Sequence, residues 1–356
     1  MKRSILAIAA LTAFAGAASA QSSVTIGGIL DVAAASVKNG NAGTIQSLST
    51  GRSATSRFFV RGTEDLGGGL KANFRIESEV GVDTGSAGST VGTSTGVFWA
   101  RWATVGLSGG FGEVRLGREF NSTFAAFNAT EIFGYVGVAS PANLRGTFFG
   151  NANGGGATAV RQSNAITYVL PKLGGVYGQV QVSAGEGVVG SQQKSFSGRL
   201  GYAAGPLNIN ASYGKMDRMF AMVDDLTTMN VGGTFKTGFA TFGLGYEKSD
   251  FSTQEQELLT ANVSVPVGKG AFKAQYTRSS GTGPTGQADR YEAKMFGLGY
   301  VYNMSKRTSL YTSYGSINNG GSVASGAVFT ASGSGPAGMR RGETSSGYEF
   351  GVRHDF

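Results

Sequence analysis

The sequence lacks cysteine altogether and contains little proline or histidine, with no Cys, 6 Pro and 1 His among 356 residues. Without cysteine no disulfide can constrain the unfolded chain, so hydrogen bonds and packing must hold the fold together. One histidine cannot build a clustered His/Cys metal site, and it leaves a serine or cysteine nucleophile without a base near any pocket. We therefore expect neither an enzyme nor a metal ion or other cofactor.

Long runs of apolar residues and long runs of one charge are missing as well. After the amino terminus, no stretch approaches the roughly 18 consecutive apolar residues that a membrane-spanning helix needs. The formal net charge is +8, but the cations are scattered along the chain, so binding of nucleic acid is not expected. The segment GEGVVG, 185–190, matches a dinucleotide fingerprint, yet a strand-like segment follows it instead of a helix, and we assign it to a loop.

The beginning of the chain has the three parts of a secretory signal peptide. Lys2 and Arg3 are followed by an apolar stretch, Ile5–Ala15, and by the small residues ASA. This apolar stretch is too short to span a membrane, and its flanks are those of an export signal. The sequence predicts a cleaved signal peptide over residues 1–20 and one exported domain over residues 21–356.

Glycine and a two-residue alternation are abundant. Glycine accounts for 59 residues, which disfavours long helices. Apolar and polar residues alternate in the segment LNINASYG, 207–214, and MFGLGYVYN, 295–303, repeats the pattern. Such alternation predicts strands whose two faces meet different environments. A soluble β-sandwich alternates too, so this pattern alone leaves both a sandwich and a barrel open.

The connections between the strands favour a barrel. Seven short joins rich in Gly, Pro, Asn and Lys supply hairpin geometry, and eight longer Gly/Ser/Thr/Asn-rich segments alternate with them. The longer segments are approximately 38–51, 83–96, 120–159, 186–195, 217–226, 250–255, 281–290 and 317–344. Fifteen connections join sixteen strands. We therefore predict an all-β fold, a 16-stranded antiparallel transmembrane β-barrel with short periplasmic turns and long extracellular loops.

Four motifs carry a resemblance to a known family: SSVTIGGILD, SRFFVRGTEDLGGGLKANFRIESE, RWATVGLSGGFGEVRLGRE and YVYNMSKRTSLY. The chain resembles the general-diffusion porins of the Gram-negative trimeric family, and it is most similar to their β-proteobacterial, anion-preferring branch. The resemblance implies an outer-membrane homotrimer that passes small anionic or neutral solutes, contacts outer-membrane lipid and lipopolysaccharide, and is inserted by the barrel-assembly machinery. It also implies that the third long loop, 120–159, folds into the barrel, and that terminal Phe356 serves as the assembly signal.

Strand alternation selects the residues expected to face the interior of such a barrel. Phe58 and Val60 are expected to face lipid, because an arginine on the lipid face at mid-membrane costs about 2 to 4 kcal/mol. The residues then expected to point inward on this strand and the next are Arg57, Phe59, Arg61, Arg75, Glu77 and Glu79. On the following strand, Arg101 is expected to point inward and Trp102 to face lipid.

For anion preference, the resemblance implies an arginine cluster at the narrowing of the pore. Matched motif by motif, this role falls on Arg57, Arg101 and Arg145, and Glu77 matches an acid that accompanies the cluster. The third loop carries one further charged residue, Glu131. The predicted constriction and selectivity residues are Arg57, Arg101, Arg145, Glu77, Glu131, Arg61, Arg75 and Glu79. Their positive balance predicts a passive channel that prefers small anions.

The last ten residues, GYEFGVRHDF, alternate once more. The predicted outward face carries Tyr348, Phe350, Val352, His354 and Phe356. This strand is expected to pair with the first strand, where the small residues Ala33–Ala35 suit a subunit contact. Three other functions stay open at this point: a substrate-selective channel, a closed structural or adhesive barrel, and an outer-membrane enzyme such as a hydrolase using Glu77 and Glu79.

Overall fold

Nineteen strands and a few short helical segments make up the computed structural model, which describes residues 22–91, 94–145, 160–185, 194–217, 225–283, 290–320, 328–331 and 339–356. The strands are β1 Ser23–Asn39, β2 Thr44–Thr50, β3 Arg57–Gly67, β4 Leu70–Glu79, β5 Ser89–Val91, β6 Ser94–Val97, β7 Trp102–Gly109, β8 Gly112–Phe120, β9 Arg161–Val169, β10 Val176–Ser183, β11 Ser195–Ala204, β12 Leu207–Met216, β13 Leu226–Lys236, β14 Thr241–Phe251, β15 Gln254–Val267, β16 Gly270–Ser280, β17 Ala293–Asn303, β18 Thr308–Asn319 and β19 Thr344–Asp355. The helices are α1 Ser122–Asn128 and α2 Ala142–Arg145, and a 3-10 turn covers Gly40–Ala42. The predicted signal peptide lies outside the described residues.

One antiparallel sheet closes on itself. Apart from the small β5–β6 hairpin and the step from β2 to β3, each strand pairs with its neighbours along the chain, and β1 pairs with β19 to close the ring. β2 and β3 share the other edge of β1: β2 pairs with Val32–Lys38 and β3 with Ser23–Ile29. Because β2 and β3 together occupy one position of the wall, the ring has sixteen positions. The predicted 16-stranded antiparallel β-barrel is confirmed.

The two ends of the barrel differ in their connections, as predicted, with two exceptions. The segment 250–255 was expected to be a long loop, but β14 continues to Phe251 and β15 begins at Gln254. Only two residues join them, and Ser252 adopts a left-handed φ of 56°. Likewise, the segment 38–51 is mostly a hairpin of β1 and β2. Polar strand ends are tolerated where the wall extends beyond the lipid, so polar composition concealed these strands.

The outer surface is apolar and the inner surface is polar. Large exposed apolar residues recur at alternate positions, as with Leu207 and Ile209 on β12, while Asn210 and Ser212 are buried inside. The terminal strand follows the same rule, because Phe350 and Phe356 are 60% and 47% exposed and Glu349 is buried. Among the described residues, no helix is long and apolar enough to cross a membrane.

The last residue, Phe356, completes the hydrogen bonding between β1 and β19. Phe356 exchanges two backbone hydrogen bonds of 3.1 Å with Gly28. A Cβ on Gly28 would lie 2.5 Å from the Phe356 ring, so the ring packs on the bare backbone of β1. His354 lies on the exposed side of β19, as predicted, and its Nδ1 is 2.9 Å from the Thr308 hydroxyl.

An apolar core lies inside the barrel against the inner wall. It joins Leu144 of α2 to inward-facing side chains of six strands, to Tyr291 and to Phe329. Its members are Leu144, Met216, Leu226, Phe251, Leu258, Tyr291, Ala293, Met295, Ile317 and Phe329. This apolar patch interrupts the polar lining of the barrel. Leu144, near the end of the described part of the β8–β9 connection, packs against it.

Candidate pore constriction

The long connection between β8 and β9 enters the barrel. Helix α1 begins after Asn121, whose Oδ1 accepts the Phe124 N–H at 2.7 Å and so caps the helix. Asn230 of β13 donates to the Thr123 carbonyl at 3.3 Å, and Asn262 of β15 donates to the Thr130 carbonyl at 2.8 Å. The described part of this loop, 121–145, is therefore fastened to the inner wall by hydrogen bonds from the strands. Residues 146–159 lie outside the described residues.

Opposite charges meet on the wall formed by β3, β4 and the residue before β7. Glu77 accepts hydrogen bonds from the Nε of Arg101 at 2.8 Å and from the Nη2 of Arg75 at 2.5 Å, and the Nη1 of Arg57 is 4.0 Å away. Arg101 also reaches Glu79 at 3.5 Å. One buried carboxylate is thus shared by three guanidinium groups. We call Arg57, Arg75, Arg101, Glu77 and Glu79 the wall cluster.

The predicted orientation of Trp102 is wrong, because this side chain faces the interior. The Cζ of Arg75 lies 4.4 Å from the centre of the Trp102 ring, and the indole N–H donates to Thr104 at 2.8 Å. β7 begins only at Trp102, so counting strand alternation from Arg101 put Trp102 on the wrong side. Arg101 still points inward, since its Nε donates to the buried Glu77 carboxylate at 2.8 Å.

An inner cavity of about 420 Å³ continues from the wall cluster toward the short turns. Arg61 and Arg75 are direct register partners on its wall, and Arg115 of β8 completes its cationic lining. Glu113 and Glu119 hold Arg115 at 3.2 and 2.6 Å. The sequence interpretation missed Arg115, although the outward Leu116 beside it marks it as inward-facing.

The sequence interpretation also missed Arg161 and Lys273, each for a reason of its own. The Nε of Arg161, at the start of β9, donates to the Arg101 carbonyl at 2.8 Å, so this guanidinium borders the wall cluster. Asn164 has a φ of 54°, and this irregularity breaks the alternation that would have pointed to Arg161. Lys273 of β16 donates to the carbonyl of Ile132 in the loop at 2.5 Å. Its role depends on a loop contact that sequence alternation does not reveal.

The structure separates Arg145 from the other predicted arginines. Its Nε is 2.5 Å from Glu247 of β14, and both side chains are 3% exposed. Its Nη1 donates to the Tyr135 hydroxyl at 3.1 Å, and its Cζ lies 5.2 Å from the centre of the Phe127 ring. Arg57 and Arg101 meet Glu77 instead. Arg145 therefore belongs to a dry contact between loop and wall, and its contribution to selectivity stays a prediction.

Glu131 is also turned away from water. Its Oε1 accepts the Phe133 N–H at 2.6 Å, and its Oε2 is buried without a hydrogen-bond partner among the described residues. Burial raises the pKa of this loop carboxyl to about 7, although the N–H groups of Phe133 and Ile132 and the charge of Lys273 act in the opposite direction. Near neutral pH, Glu131 therefore carries only part of its negative charge.

The whole chain matches known proteins with the same architecture. The sequence fits the profile of the Gram-negative porins over residues 7–322. The chain belongs to this family. It is 35% identical to outer membrane porin protein 32 of Delftia acidovorans over 375 residues, with 100% of both chains covered. It therefore resides in the outer membrane, and the family and fold are those of channels.

Solved structures support the same assignment. The anion-selective porin from Comamonas acidovorans superimposes with a TM-score of 0.81 at 30% identity, covering 94% of this chain and 100% of that one. The trimer form of OmpT from Vibrio cholerae superimposes with a TM-score of 0.67 over 94% of this chain, and its 16% identity shows the shared fold alone. The predicted resemblance to the β-proteobacterial, anion-selective branch is confirmed.

Proposed function

We propose that this porin is a passive diffusion channel for small hydrophilic solutes and prefers anions through the wall cluster. The supporting observation is that Glu77 is shared by Arg57, Arg75 and Arg101. Three guanidinium groups against Glu77 and Glu79 leave one positive charge, to which Arg61 and Arg161 add. At an effective dielectric between 20 and 80, a cation about 4 Å from a passing anion contributes roughly 1 to 4 kcal/mol before screening.

The predicted selectivity residues have unequal roles in this proposal. Arg57, whose side chain is 27% exposed, contacts the passing anion, and Arg61 and Arg75 extend the positive wall toward the short turns. Arg101 is buried between Glu77 and Glu79, adds its charge to the wall and, with Glu77, holds the cluster in place. Glu79 partly neutralises Arg101. Arg145 and Glu131 fix the loop that narrows the pore, since both are largely buried away from the lumen.

Zero-current potentials in a KCl gradient test the selectivity. Wild type is expected to prefer chloride, and more strongly at 0.01 M than at 0.1 M salt, where the Debye length is about 30 and 10 Å. Arg57→Ala with Arg101→Ala is expected to shift the potential toward cation preference. Lys248→Ala serves as the control, because Lys248 is paired with Glu255 on the outer face. Cation selectivity in wild type, or an unchanged potential in the double variant, would refute the proposal.

Assembly is proposed to follow the family pattern. The outer-membrane location is consistent with four further features. These are export by residues 1–20, assembly into a homotrimer, contact with lipopolysaccharide, and insertion by the barrel-assembly machinery with Phe356 as the signal. Deletion of Phe356 is expected to lower the outer-membrane level of the protein far more than Tyr348→Ala does, because only Phe356 packs on Gly28. Equal levels of the two variants, measured by immunoblotting of outer membranes, would contradict this role.

We also propose that the chain has no catalytic activity and that its pore is open. Its single histidine lies on the outward face of β19, away from the inner cavity. Swelling of liposomes in sugar solution tests the open pore, because a closed structural or adhesive barrel produces no swelling.

A further inference from the structure

Trp102 lies between two arginines on the inner wall of the barrel. It is the first residue of β7, which pairs with β4 on one side and with β8 on the other. The centre of its ring is 4.4 Å from the Cζ of Arg75, on β4, and 5.7 Å from the Cζ of Arg115, on β8. All three residues line the inner cavity. One aromatic ring is therefore shared by cations from both neighbouring strands.

The orientation of this ring is fixed by contacts that do not involve the arginines. The indole N–H donates to the Thr104 hydroxyl at 2.8 Å. The ring of Phe120 meets the indole edge to face, with ring centres 5.5 Å apart and an angle of 84° between the planes. Edge-to-face aromatic pairs are favourable beyond the area that they bury. Trp102 is thus held in place independently, and its ring can hold a cation beside it.

Arg75 depends on this ring more than Arg115 does. Arg115 has two acids of its own, Glu113 and Glu119, at 3.2 and 2.6 Å. Among the described residues, the one acid that pairs with Arg75 is Glu77, which is shared with two other arginines. The Nε of Arg75 is buried and has no hydrogen-bond partner in that part of the chain. The ring therefore supplies a contact that hydrogen bonds do not.

The position of Arg75 also places it next to a like charge. Arg61 of β3 is its direct register partner, and like charges opposite each other on neighbouring strands repel. A cation over an aromatic face is attracted by the negative charge density of the ring. This attraction opposes the repulsion by Arg61, and it acts on a side chain that is 37% exposed to the lumen.

We propose that Trp102 is a positioning residue for anion selectivity, whose ring holds the guanidinium of Arg75 in the lumen with only its Nη2 bonded to Glu77. A guanidinium that loses the ring can turn two nitrogens toward Glu77, and such a two-point contact neutralises more of its charge. The passing anion then meets a weaker positive wall. The inference rests on the proposed anion preference and concerns how one of its cations is kept available to solutes.

Zero-current potentials in a KCl gradient test this role in planar bilayers, where only folded, inserted channels are measured. Trp102→Leu keeps apolar bulk without a ring. It is expected to lower the chloride-to-potassium permeability ratio about 2- to 5-fold, the factor that corresponds to a cation–π contact at a partly exposed site. Trp102→Phe keeps a ring and is expected to restore most of the ratio. An unchanged ratio in Trp102→Leu, or an equal loss in Trp102→Phe, would overturn the proposal.

A second background tests whether Trp102 acts through Arg75. In an Arg75→Gln background, Trp102→Leu is expected to change the permeability ratio no further. An additional loss of similar size would contradict action through Arg75 and would mean a general disturbance of the pore.

Tyr177→Leu is the matched control for removal of a ring beside an arginine. The ring centre of Tyr177 lies 5.5 Å from the Cζ of Arg199, whose Nη1 already donates to the Ala125 carbonyl at 2.8 Å. Because this arginine has a hydrogen bond that fixes it, the permeability ratio is expected to stay close to that of wild type. A loss as large as that of Trp102→Leu would contradict a role specific to Trp102.

Fluorescence provides a readout that does not depend on replacing Trp102. The chain has two tryptophans, so Trp99→Phe leaves Trp102 as the only one. In that background, Arg75→Gln is expected to shift the emission of the folded porin in detergent. Arg57→Gln removes another cation that pairs with Glu77 and is expected to shift the emission much less. Equal shifts, or none with Arg75→Gln, would overturn the contact. Cation preference of wild type would instead refute the proposed function, and the emission test distinguishes the two failures.

Discussion

The barrel interior contains two arginine-rich regions that differ in how their charges are matched. In the wall cluster, Glu77 serves Arg57, Arg75 and Arg101 together, and the side chain of Arg75 remains 37% exposed. At the loop contacts, each arginine has its own acid: Arg145 pairs with Glu247, and Arg52 with Glu349 at 2.9 Å. Under-matched, partly exposed arginines are suited to attract solutes. Matched, buried arginines are suited to hold the loop.

A second acid joins the Arg52 contact and explains how the tip of the loop is held. Asp31 of β1 accepts the backbone N–H groups of Arg52, Ser53 and Ala54 at 2.8 to 3.1 Å, and the Tyr311 hydroxyl at 2.6 Å. Glu349 in turn accepts the Val138 N–H at 3.3 Å. The segment between β2 and β3 therefore connects the wall to the loop. This region has structural roles that the positive wall cluster does not share.

The largest effect is expected from breaking a matched pair. Arg145→Ala leaves the Glu247 carboxylate buried without its cation, which costs about 3 to 5 kcal/mol. Urea unfolding in detergent is expected to show this loss, whereas Lys248→Ala, which removes an exposed pair, is expected to cost about 0 to 1 kcal/mol.

A double replacement sharpens the interpretation of that result. Arg145→Met with Glu247→Leu removes both charges from the same dry contact and is expected to recover most of the stability, because the uncompensated carboxylate is gone. If the double variant is as unstable as Arg145→Ala, the loss comes from packing around Phe124 and Phe127 and the matched pair is not its cause.

An intermediate effect is expected at the tip of the loop. Glu349→Ala removes the acceptor of the Val138 N–H and the partner of Arg52, and a buried group left unsatisfied costs about 1 to 3 kcal/mol. We expect noisier single-channel currents because the loop tip is less firmly held, while the zero-current potential stays close to that of wild type. A shift of this potential as large as that in the Arg57/Arg101 variant would show that the loop contacts and the wall cluster both set selectivity.

Local sequence patterns were sufficient where a side chain's environment depends on its own strand. The alternation around Phe58 and Val60 put Arg57 and Arg61 on the same face as the structure does. The glycine-rich turns indicated the order of the strands, and closure of the barrel followed from their number. Trp102 shows the limit of this reasoning, since the first residue of the strand could not be located to within one position.

Long-range contacts determine which partner each loop charge has, and this could not be predicted from the sequence. The partner of Arg145 is Glu247, 102 positions along the chain, and no local pattern links them. The Arg52 side chain reaches Glu349 across 297 positions because the ends of the chain meet at the barrel closure. A loop charge can therefore be recognised from the sequence, but whether it faces water or a buried acid is decided by the assembled wall.

The smallest effect is expected from Glu131, which tests whether the loop adds charge to the pore. With its pKa raised to about 7 by burial, Glu131 is mostly neutral at pH 5.5 and mostly ionised at pH 8.5. Lowering the pH through 7 therefore removes negative charge near Lys273, and anion preference is expected to rise slightly.

The expected change is small, because a charge about 10 Å from the solute path contributes at most about 0.4 kcal/mol in water, before screening. Zero-current potentials at the two pH values measure this, and Glu131→Gln is expected to abolish the Glu131-dependent part of the difference. If the variant keeps the full pH dependence of wild type, another group titrates and Glu131 belongs to the loop anchor alone.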